Sequence, residues 1–457
     1  MTVSLASQNT VRGPKALPIV GNIPQLIKDA PKFFLEAQQN YGDIFSYYIG
    51  SKRVYFLLNP EDIKYVLQDN YKNYSKNSNY QRIKALVGEG LLTSEGETWF
   101  RNRRLAQPVF HRQKIHGFAE MMVDRCLAML ETWEGYYQRG EALNMQAQMM
   151  RLTLGIIGEA LFSEEVSGDA ARVSEALGFA LEHTNNLILS PFPFTAKLPT
   201  PANLKFKHST ATLDEIIYRI IDKRRTELKA GAEDKGDLLS MLLQAQDADS
   251  GAQMNDKELR DEAMTLFLAG HETTATSLTW LSYLLCKHPE VYQKLQQEID
   301  EVLAGCRVTY NDLEKLPYTR MVIDEALRLY PPAWIIGRQP IADDTLPSGI
   351  KVSKGQDISI SPYVLHHHPQ LWPEPERFLP ERFLEKPSRF AYLPFGGGPR
   401  VCIGNHFALM EMGLVLVTVL QGFGLELTPN QHVQLQTSIT LRPKNGPLSK
   451  PQKTCLS

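Results

Sequence analysis

Apolar residues recur at intervals of three and four along most of the chain, which places them on one face of a helix. Shorter stretches alternate between apolar and polar positions, which is typical of strands. The helical pattern predicts helices at 97–138, 143–185, 207–230, 256–287, 289–304, 318–330 and 403–422. The alternating pattern predicts a hairpin over 44–58 and strands near 333–338, 349–360 and 432–442. The chain is therefore expected to be mainly α, with a little sheet.

Proline-rich stretches connect these elements. Residues 189–203 are expected to form a connection, and residues 361–395 a long ordered loop, because their prolines follow no helical or strand period. A loop of that length inside a compact body usually has a specific role. Since no linker rich in proline, glycine and serine divides the chain, residues 1–457 are expected to form one domain, with flexible ends at 1–12 and 444–457.

Composition limits the class of protein, its partners and its cellular compartment. The hydrophobic content of 43% is ordinary for a globular protein, and a formal net charge of −2 gives no reason to expect a nucleic-acid partner. The five cysteines lack paired spacing, which indicates a reducing compartment rather than a disulfide framework. Without the apolar core of a signal peptide or a run of about 18 apolar residues, no membrane anchor is expected, and the predicted location is the cytoplasm.

The segment from Phe395 to Gly404 has the pattern Phe-x-x-Gly-x-Arg-x-Cys-x-Gly. Its glycines permit positive φ angles and let main-chain amides approach the sulfur of Cys402. Arg400 is expected to favour the thiolate, as is the amino end of the helix that follows. These features suit a thiolate ligand of a metal. The alternative is a glycine-rich turn around an ordinary buried cysteine.

A second segment, Ala269-Gly270-His271-Glu272-Thr273-Thr274, lies in the middle of an apolar helix that is expected to cross the core. The segment is locally unfavourable for a helix, since Gly270 costs about 1 kcal/mol relative to alanine and Thr273 and Thr274 add smaller penalties. Glu272 would need a partner or water if it were buried. Such a local violation in a core helix indicates a functional site. The alternative is that Thr273 bonds back to the carbonyl four residues earlier.

A third pattern is the Glu-x-x-Arg spacing of Glu325 and Arg328, which places opposite charges on one helix face. By itself this spacing favours an ordinary surface ion pair. Downstream, Pro380-Glu381-Arg382-Phe383 lies within the proline-rich stretch. Neither segment by itself indicates a function, so the two have to be interpreted together.

These segments, in this order, resemble the motifs of the cytochrome P450 family, and the resemblance covers about residues 13–443. It implies a large helical body with a smaller β-rich part. It also implies haem b with Cys402 as the iron ligand, and insertion of one oxygen atom from O2 into an apolar substrate by hydroxylation or epoxidation. The electrons would come from NAD(P)H through external partners, a ferredoxin or flavodoxin with its reductase, to a chain expected to be a monomer.

The same resemblance assigns roles to residues. Glu272 and Thr273 would form an acid–alcohol pair that handles protons, and Glu325, Arg328 and Arg382 a buried triad that fixes the long loop. The residues assigned to the haem are Trp99, Arg103, Arg338, Phe395, Gly398, Arg400, Cys402 and Gly404. The residues assigned to an apolar substrate pocket are Leu92, Ala269, Thr273, Ala333, Ile335 and Ile439.

Two polar clusters have simpler interpretations. The first could be a docking face for an acidic electron donor or a solvated helix face, and consists of Arg101, Arg104, Arg112 and Lys114. The second, His366-His367-His368, could suggest a metal tract. The resemblance favours one structural histidine with two exposed neighbours.

The substrate is the least determined property. The uncharged pocket predicts an apolar molecule, with a fatty acid as the first hypothesis and a natural product such as a terpene or alkaloid as the alternative. Two rival functions stay open: a peroxide-using or isomerising haem-thiolate enzyme, and a haem sensor or carrier without turnover. The first would not need the acid–alcohol pair, and the second would not need Glu272.

Overall fold

The computed structural model describes residues 11–163, 170–190, 193–247 and 251–453. The α-helices are α1 (Ile23–Tyr41), α2 (Pro60–Lys64), α3 (Asn79–Val87), α4 (Gly96–Ala106), α5 (Arg112–Ile115), α6 (Ala119–Arg139), α7 (Met145–Phe162), α8 (Ala170–Leu189), α9 (Pro201–Lys229), α10 (Leu238–Gln244), α11 (Asp256–Lys287), α12 (Pro289–Leu303), α13 (Pro317–Leu329), α14 (Pro362–His366) and α15 (Asn405–Gly422). The strands are β1 (Ile44–Ile49), β2 (Lys52–Leu57), β3 (Tyr74–Ser75), β4 (Leu143–Asn144), β5 (Ile336–Pro340), β6 (Asp344–Thr345), β7 (Lys351–Val352), β8 (Asp357–Ile360), β9 (Phe423–Leu427), β10 (Leu435–Thr437), β11 (Leu441–Pro443) and β12 (Leu448–Lys453).

The predicted class is confirmed: a large helical body carries small sheets. The largest sheet has the strand order β1-β2-β8-β5-β3, in which β2 and β8 are parallel and the other neighbours antiparallel. Aromatic side chains of α1 and the sheet form a separate apolar cluster, where Phe34 stacks on Phe56 with ring centroids 4.5 Å apart. The helices enclose the larger core.

Helix α11 passes through this larger core and is 32 residues long. Asn255 caps its amino end, exchanging hydrogen bonds with Glu258 in a capping box. Gly270 lets α7 approach closely, since a Cβ there would lie 2.8 Å from Cδ1 of Ile157. The helix is therefore held rigidly on several sides and can position side chains in the interior.

Several element boundaries differ from the expectations. The stretch predicted as one helix over 97–138 is divided into α4, α5 and α6 by 3-10 turns at Gln107–Phe110 and His116–Phe118. The stretch predicted over 143–185 is broken where α7 ends, at the positive φ of Ser163. Helix α1 was not predicted. It bends at Asp29, whose φ is −168°, two residues before Pro31, and this bend interrupts the helical period.

Parts of the two ends that were expected to be flexible make backbone hydrogen bonds to the rest of the chain. At the amino end, the N–H of Ser46 donates to the carbonyl of Arg12 over 2.8 Å, and Val11 is buried. At the carboxyl end, β12 pairs with β9 and β4 in a three-stranded sheet. These backbone bonds fix both segments. Residues 1–10 and 454–457 lie outside the described residues.

Candidate active site

The loop before α15 presents the Cys402 sulfur. Gly398 has a φ of +67°, and a Cβ there would lie 1.8 Å from the carbonyl oxygen of Leu67, so only glycine fits. The N–H of Cys402 donates to the carbonyl of Phe395 over 3.0 Å, which closes the loop. The sulfur thereby sits just ahead of Asn405, where α15 begins.

The electrostatics of Cys402 suit a metal ligand. Dense surrounding protein raises the pKa of the thiol by excluding water, whereas the N–H of Gly404 and the Arg103 guanidinium lower it. The side chain is nevertheless exposed on one side. A metal cation at that open side would favour the thiolate over the thiol. Sequence analysis expected Arg400 to favour the thiolate, but the cation that lowers the pKa of Cys402 is Arg103. Arg103 also donates to the Val401 carbonyl over 3.0 Å.

Arg400 points away from the sulfur, into a group of cations. Its guanidinium lies over the Trp99 ring, 4.3 Å from the centroid, and donates to Oε2 of Glu95 over 2.5 Å. Burial, together with the neighbouring charge of Arg338, lowers the pKa of Arg400 to about 10 despite Glu95. Lys76 has its pKa lowered well below the ordinary value, by burial first and then by Arg400 and Arg338. Lys76 was missed by sequence analysis.

The three cations, Lys76, Arg338 and Arg400, repel one another, and Glu95 is the anion that affects both Lys76 and Arg400. A group with additional negative charge would relieve this repulsion. The two carboxylates of haem b fit that need, and Cys402 fits the iron. Lys76 could have been found only from the pairing of β3 with β5, which brings its neighbour Ser75 beside Gln339, next to Arg338.

The middle of α11 opens to solvent. Ala269 is exposed and Thr273 half-buried, although the flanking positions of the helix are buried. The hydroxyl of Thr273 donates to the Ala269 carbonyl over 2.6 Å, as in the alternative interpretation of this segment. Its oxygen can still accept a hydrogen bond from the open side.

Glu272 turns in another direction, toward the segment entering β11. It is buried, and its Oε1 accepts a hydrogen bond from the hydroxyl of Thr440 over 2.6 Å, with Arg442 4.0 Å away. Oε2 has no hydrogen-bond partner among the described residues. Burial raises the pKa of Glu272, and Thr440 and Arg442 partly oppose this. The adjacent acid and alcohol are therefore not hydrogen-bonded to each other.

The side chains predicted for the substrate pocket are half-buried or exposed in every case. They come from four separate segments and carry no charge. They are Leu92 before α4, Ala269 and Thr273 on α11, Ala333 and Ile335 between α13 and the start of β5, and Ile439 between β10 and β11. Aliphatic surface of this kind suits an apolar ligand.

The structure brings Glu325, Arg328 and Arg382 together. Nε of Arg328 donates to Oε2 of Glu325 over 2.7 Å, and Nε of Arg382 donates to Oε1 over 3.3 Å. Glu325 and Arg328 are fully buried, so a surface pair is excluded. Arg328 also donates to the carbonyls of His366 and Pro375, each over 2.8 Å, which ties α13 to the long loop.

The three adjacent histidines are all buried, so the expectation of two exposed neighbours was wrong. Nδ1 of His366 donates to the Arg328 carbonyl over 3.1 Å, and its Nε2 accepts from the N–H of Leu393 over 2.8 Å. His367 donates to the Tyr363 carbonyl over 2.7 Å, and His368 bonds Asp43 over 2.8 Å. Each ring is used in holding the loop. The described residues contain no group of His, Cys, Asp and Glu suited to a metal ion.

The predicted basic patch is divided between two uses. Arg101 pairs with Glu258 over 2.8 Å and Arg104 with Asp247 over 2.9 Å, so both are committed to ion pairs. Arg112 instead lines a surface cleft with two residues that sequence analysis did not group with it, Arg320 and His406. Burial is the largest cause that lowers the pKa of His406, and the positive charges of Arg112 and Arg320 lower it further. Arg320 also pairs with Asp324, over 2.7 Å.

Two buried carboxyls were also missed. Glu411 on α15 is almost fully buried, and burial raises its pKa well above the ordinary value, opposed by Thr274 of α11. Glu262 on α11 is fully buried. Neither belongs to a recognisable motif, and only the packing of their helices distinguishes them from surface acids.

The thiol ahead of α15 and the cations near it suit a haem-thiolate protein, and the comparison with known families agrees. The chain belongs to the cytochrome P450 family, whose model, described as "Cytochrome P450", matches residues 11–449. Its cofactor is haem b, and its reaction is that of a monooxygenase, supplied with electrons from NAD(P)H by redox partners. Among the described residues, no helix combines the length and apolar character needed to span a bilayer.

Curated relatives are similar over nearly the whole chain. "Cyclooctatin synthase" of Streptomyces melanosporofaciens is 36% identical, in an alignment covering 95% of this chain and 94% of that protein. "Cyclooctat-9-en-7-ol 5-monooxygenase" of the same organism is also 36% identical, covering 92% and 90%. "Carotene epsilon-monooxygenase, chloroplastic" of Arabidopsis thaliana is 32% identical, covering 89% and 79%.

Proposed function

We propose that this monooxygenase oxidises a large apolar natural product of the isoprenoid type. The observation that supports this most directly is the uncharged, aliphatic character of the side chains assigned to the pocket, with Ala269 and Ala333 the smallest and most exposed. Two similar proteins carry names that refer to a cyclic alkenol and to a carotene. A fatty acid, the first hypothesis from sequence, would need a partner for its carboxylate, and the assigned pocket residues offer none.

Haem b held by Cys402 supplies the activation of O2 when it is bound. The residues of the chain then have separate tasks. Thr273 faces the open side of α11 and offers its hydroxyl oxygen there. Glu272 holds a proton more readily than an ordinary carboxyl because burial raises its pKa. Its Oε2, without a partner among the described residues, is available to pass that proton through water to the Thr273 side.

The cationic residues have a positioning task. Lys76, Arg338 and Arg400 would bind the haem carboxylates, with Trp99 packed beneath Arg400. Arg103 would favour the thiolate of Cys402. The roles assigned to Phe395, Gly398 and Gly404 are to shape the loop around the sulfur. The triad of Glu325, Arg328 and Arg382 would hold the long loop that leads to it.

We infer that the electron donor is an acidic ferredoxin or flavodoxin, served by its own reductase. The supporting observation is the cleft lined by Arg112 and Arg320, which borders the first turn of α15 close to Cys402; Glu314 is the acidic residue in its lining, and Asp324 pairs with Arg320. Positive charge there would speed encounter with an acidic protein. We further infer a cytoplasmic monomer, in keeping with the free state of the four described cysteines.

The identifying experiment is optical. The reduced holoprotein with carbon monoxide should give the strongly red-shifted Soret band of thiolate ligation, and Cys402→Ser should lose it. Ferric protein is then titrated with a twenty-carbon terpene alcohol and a twenty-carbon fatty acid. A spin-state shift with the terpene alone supports the proposal. A shift with the fatty acid alone overturns the substrate class but not the monooxygenase assignment.

A further inference from the structure

The segment 88–95, which carries Leu92, is attached to α11 through side-chain carboxyls. The N–H of Glu89 donates to Oδ2 of Asp261 over 2.8 Å, and the N–H of Leu91 donates to Oε2 of Glu262 over 3.1 Å. Two successive acids of the helix thus accept two alternate amides of the segment. The contact is one of hydrogen bonds rather than apolar packing alone.

Two glycines bring the segment very close to the helix. A Cβ on Gly88, whose φ is +72°, would lie 2.0 Å from Oδ1 of Asp261. A Cβ on Gly90 would lie 2.2 Å from Oγ1 of Thr265. Any side chain at either position would push the segment away from α11.

The other side of the segment is attached to the cations assigned to the haem. Nζ of Lys76 donates to the carbonyl of Leu91 over 3.1 Å and also to that of Leu92. Nη1 of Arg400 donates to the carbonyl of Ser94 over 3.0 Å. The segment therefore connects the carboxyls of α11 with the cations beside Cys402.

Glu262 is the acid in this contact that is left incompletely bonded. It is fully buried, and its Oε1 has no hydrogen-bond partner in the part of the chain that the structure describes. Asp261, in contrast, also receives hydrogen bonds from Lys257 over 2.8 Å and Arg260 over 2.9 Å. A buried carboxyl with an unused oxygen is costly, and the oxidation chemistry assigned to Glu272 does not require it.

Several groups determine the charge of Glu262. Burial raises its pKa to about 7, and the neighbouring Asp261 carboxylate adds to this. The N–H of Leu91, the Asn102 amide on α4 and the Lys76 ammonium oppose it. Because the net effect is a raised pKa, ionisation of Glu262 must in turn weaken the attachment of the segment that is bonded to it, since opening the segment lets water reach the carboxylate.

We propose that Glu262 is a positioning residue that fixes the segment 88–95 against α11 and so controls how Leu92 faces the pocket and how fast apolar ligands enter and leave. The part concerning ligands rests on the pocket role proposed above for Leu92. The part concerning the segment rests only on the contacts of Glu262 with Leu91 and α4.

The test uses the holoprotein and two measurements. Hydrogen exchange at about pH 6 should be about tenfold faster for amides of 88–95 in Glu262→Ala, the factor that corresponds to about 1.4 kcal/mol. Stopped-flow mixing with phenylimidazole, which binds haem iron, should show association and dissociation rates that both rise severalfold. Exchange within twofold of the wild-type rate would overturn the proposal.

Glu262→Gln provides a conservative variant, because its amide oxygen can still accept the Leu91 N–H. It should restore most of the protection. Between about pH 6 and about pH 8, wild-type protection, corrected for intrinsic exchange, should decrease as Glu262 ionises, because burial has raised its pKa above that of a hydrated carboxyl. The Gln variant should show no such change. If Glu262→Ala does not fold, this pH comparison decides alone: equal profiles for wild type and Gln variant would overturn the proposal.

Glu411→Gln is the matched control, since Glu411 is also buried, with a raised pKa and an oxygen without a partner among the described residues. Its exchange in 88–95 should equal that of wild type. Acceleration in 88–95 by both variants alike would indicate general destabilisation and overturn the proposal. Faster exchange in Glu262→Ala with unchanged phenylimidazole rates would uphold the positioning of the segment and overturn only its link to ligand passage.

Discussion

Two regions of this protein bury charged side chains, and they differ in how completely those side chains are bonded. In the triad, Glu325 accepts hydrogen bonds from Arg328, Arg382 and the N–H of Leu379. In the middle of α11, Glu272 accepts one, from Thr440, and its Oε2 accepts none from the described residues. A saturated carboxylate is fixed in position and charge, whereas an unsaturated one can exchange a proton. From this difference we propose a structural role for the triad and proton exchange for Glu272.

The largest effect is expected for Arg328→Ala, which tests the fully hydrogen-bonded triad of Glu325, Arg328 and Arg382. It leaves the Glu325 charge buried beside Arg382 alone, and the expected loss of unfolding free energy is about 3–5 kcal/mol. Urea unfolding of the holoprotein measures this from the transition midpoint. Arg377→Ala is the control, because Arg377 makes the same i,i+3 pair with Glu374 at an exposed site. Its cost should stay below about 1 kcal/mol, and equal costs would contradict the comparison.

The unsaturated region is tested by Glu272→Gln, which keeps the shape but cannot ionise. Turnover should fall about a hundredfold, as for loss of a proton-transfer group. Because burial raises the folded-state pKa, wild-type stability relative to the variant is greatest below the unfolded pKa of about 4.3 and is lost as pH rises through the folded pKa. Urea unfolding at about pH 5 and about pH 8 measures this. A variant that loses stability relative to wild type at the higher pH would contradict it.

Gly398→Ala tests whether the Cys402 loop depends on backbone geometry rather than on bonded charges. The new Cβ would meet the Leu67 carbonyl at 1.8 Å, with φ at +67°, so a loss of about 1–3 kcal/mol and reduced haem content are expected. The ratio of Soret to protein absorbance measures the haem content. Gly397→Ala should cost less, because its nearest neighbours are the side-chain ends of Phe390 and Leu393, at 3.1 and 3.3 Å.

The smallest effect on stability is expected for Thr273→Val, within about 0.5 kcal/mol, because only a bond back to the Ala269 carbonyl is lost. Product formed per NAD(P)H should nevertheless fall, with more hydrogen peroxide released. Thr279→Val removes the same kind of bond, to the Ala275 carbonyl, from a fully buried site. Its coupling should match wild type. Equal uncoupling by both variants would remove the special role of Thr273.

The pattern of apolar and polar residues predicted those helices and strands whose sequence signals lie within the element itself. Helix α11 begins and ends at the predicted residues 256 and 287, because its capping residue and apolar period lie within the helix itself. The hairpin of β1 and β2 was predicted from alternation around Gly50. Helix α1 was missed because its bend at Asp29 interrupts the helical period, and its Phe34 packs against Phe56, a residue of the distant β2 strand.

The residues of the candidate site also divide into those with a local sequence signal and those without one. Cys402, Glu272 and Glu325 were found because they belong to motifs with fixed spacing. Lys76 and Glu262 were missed, because their pKa shifts arise from burial and from neighbours distant in sequence. Such environments exist only after the strands and helices have assembled.

The sequence by itself determined the mainly helical class and the family, since the helical period and the spacing of the motifs are short-range properties, and it proposed Cys402 as the residue that would hold the iron. The tertiary structure decided which charged side chains are engaged in ion pairs and which line a surface cleft. Arg101 and Arg112 look alike in the sequence, but Arg101 is bound to Glu258 while Arg112 lines the cleft beside α15. Hydrogen bonds and ion pairs act over a few ångströms, so the role of each charged side chain is set by partners that only folding brings within reach.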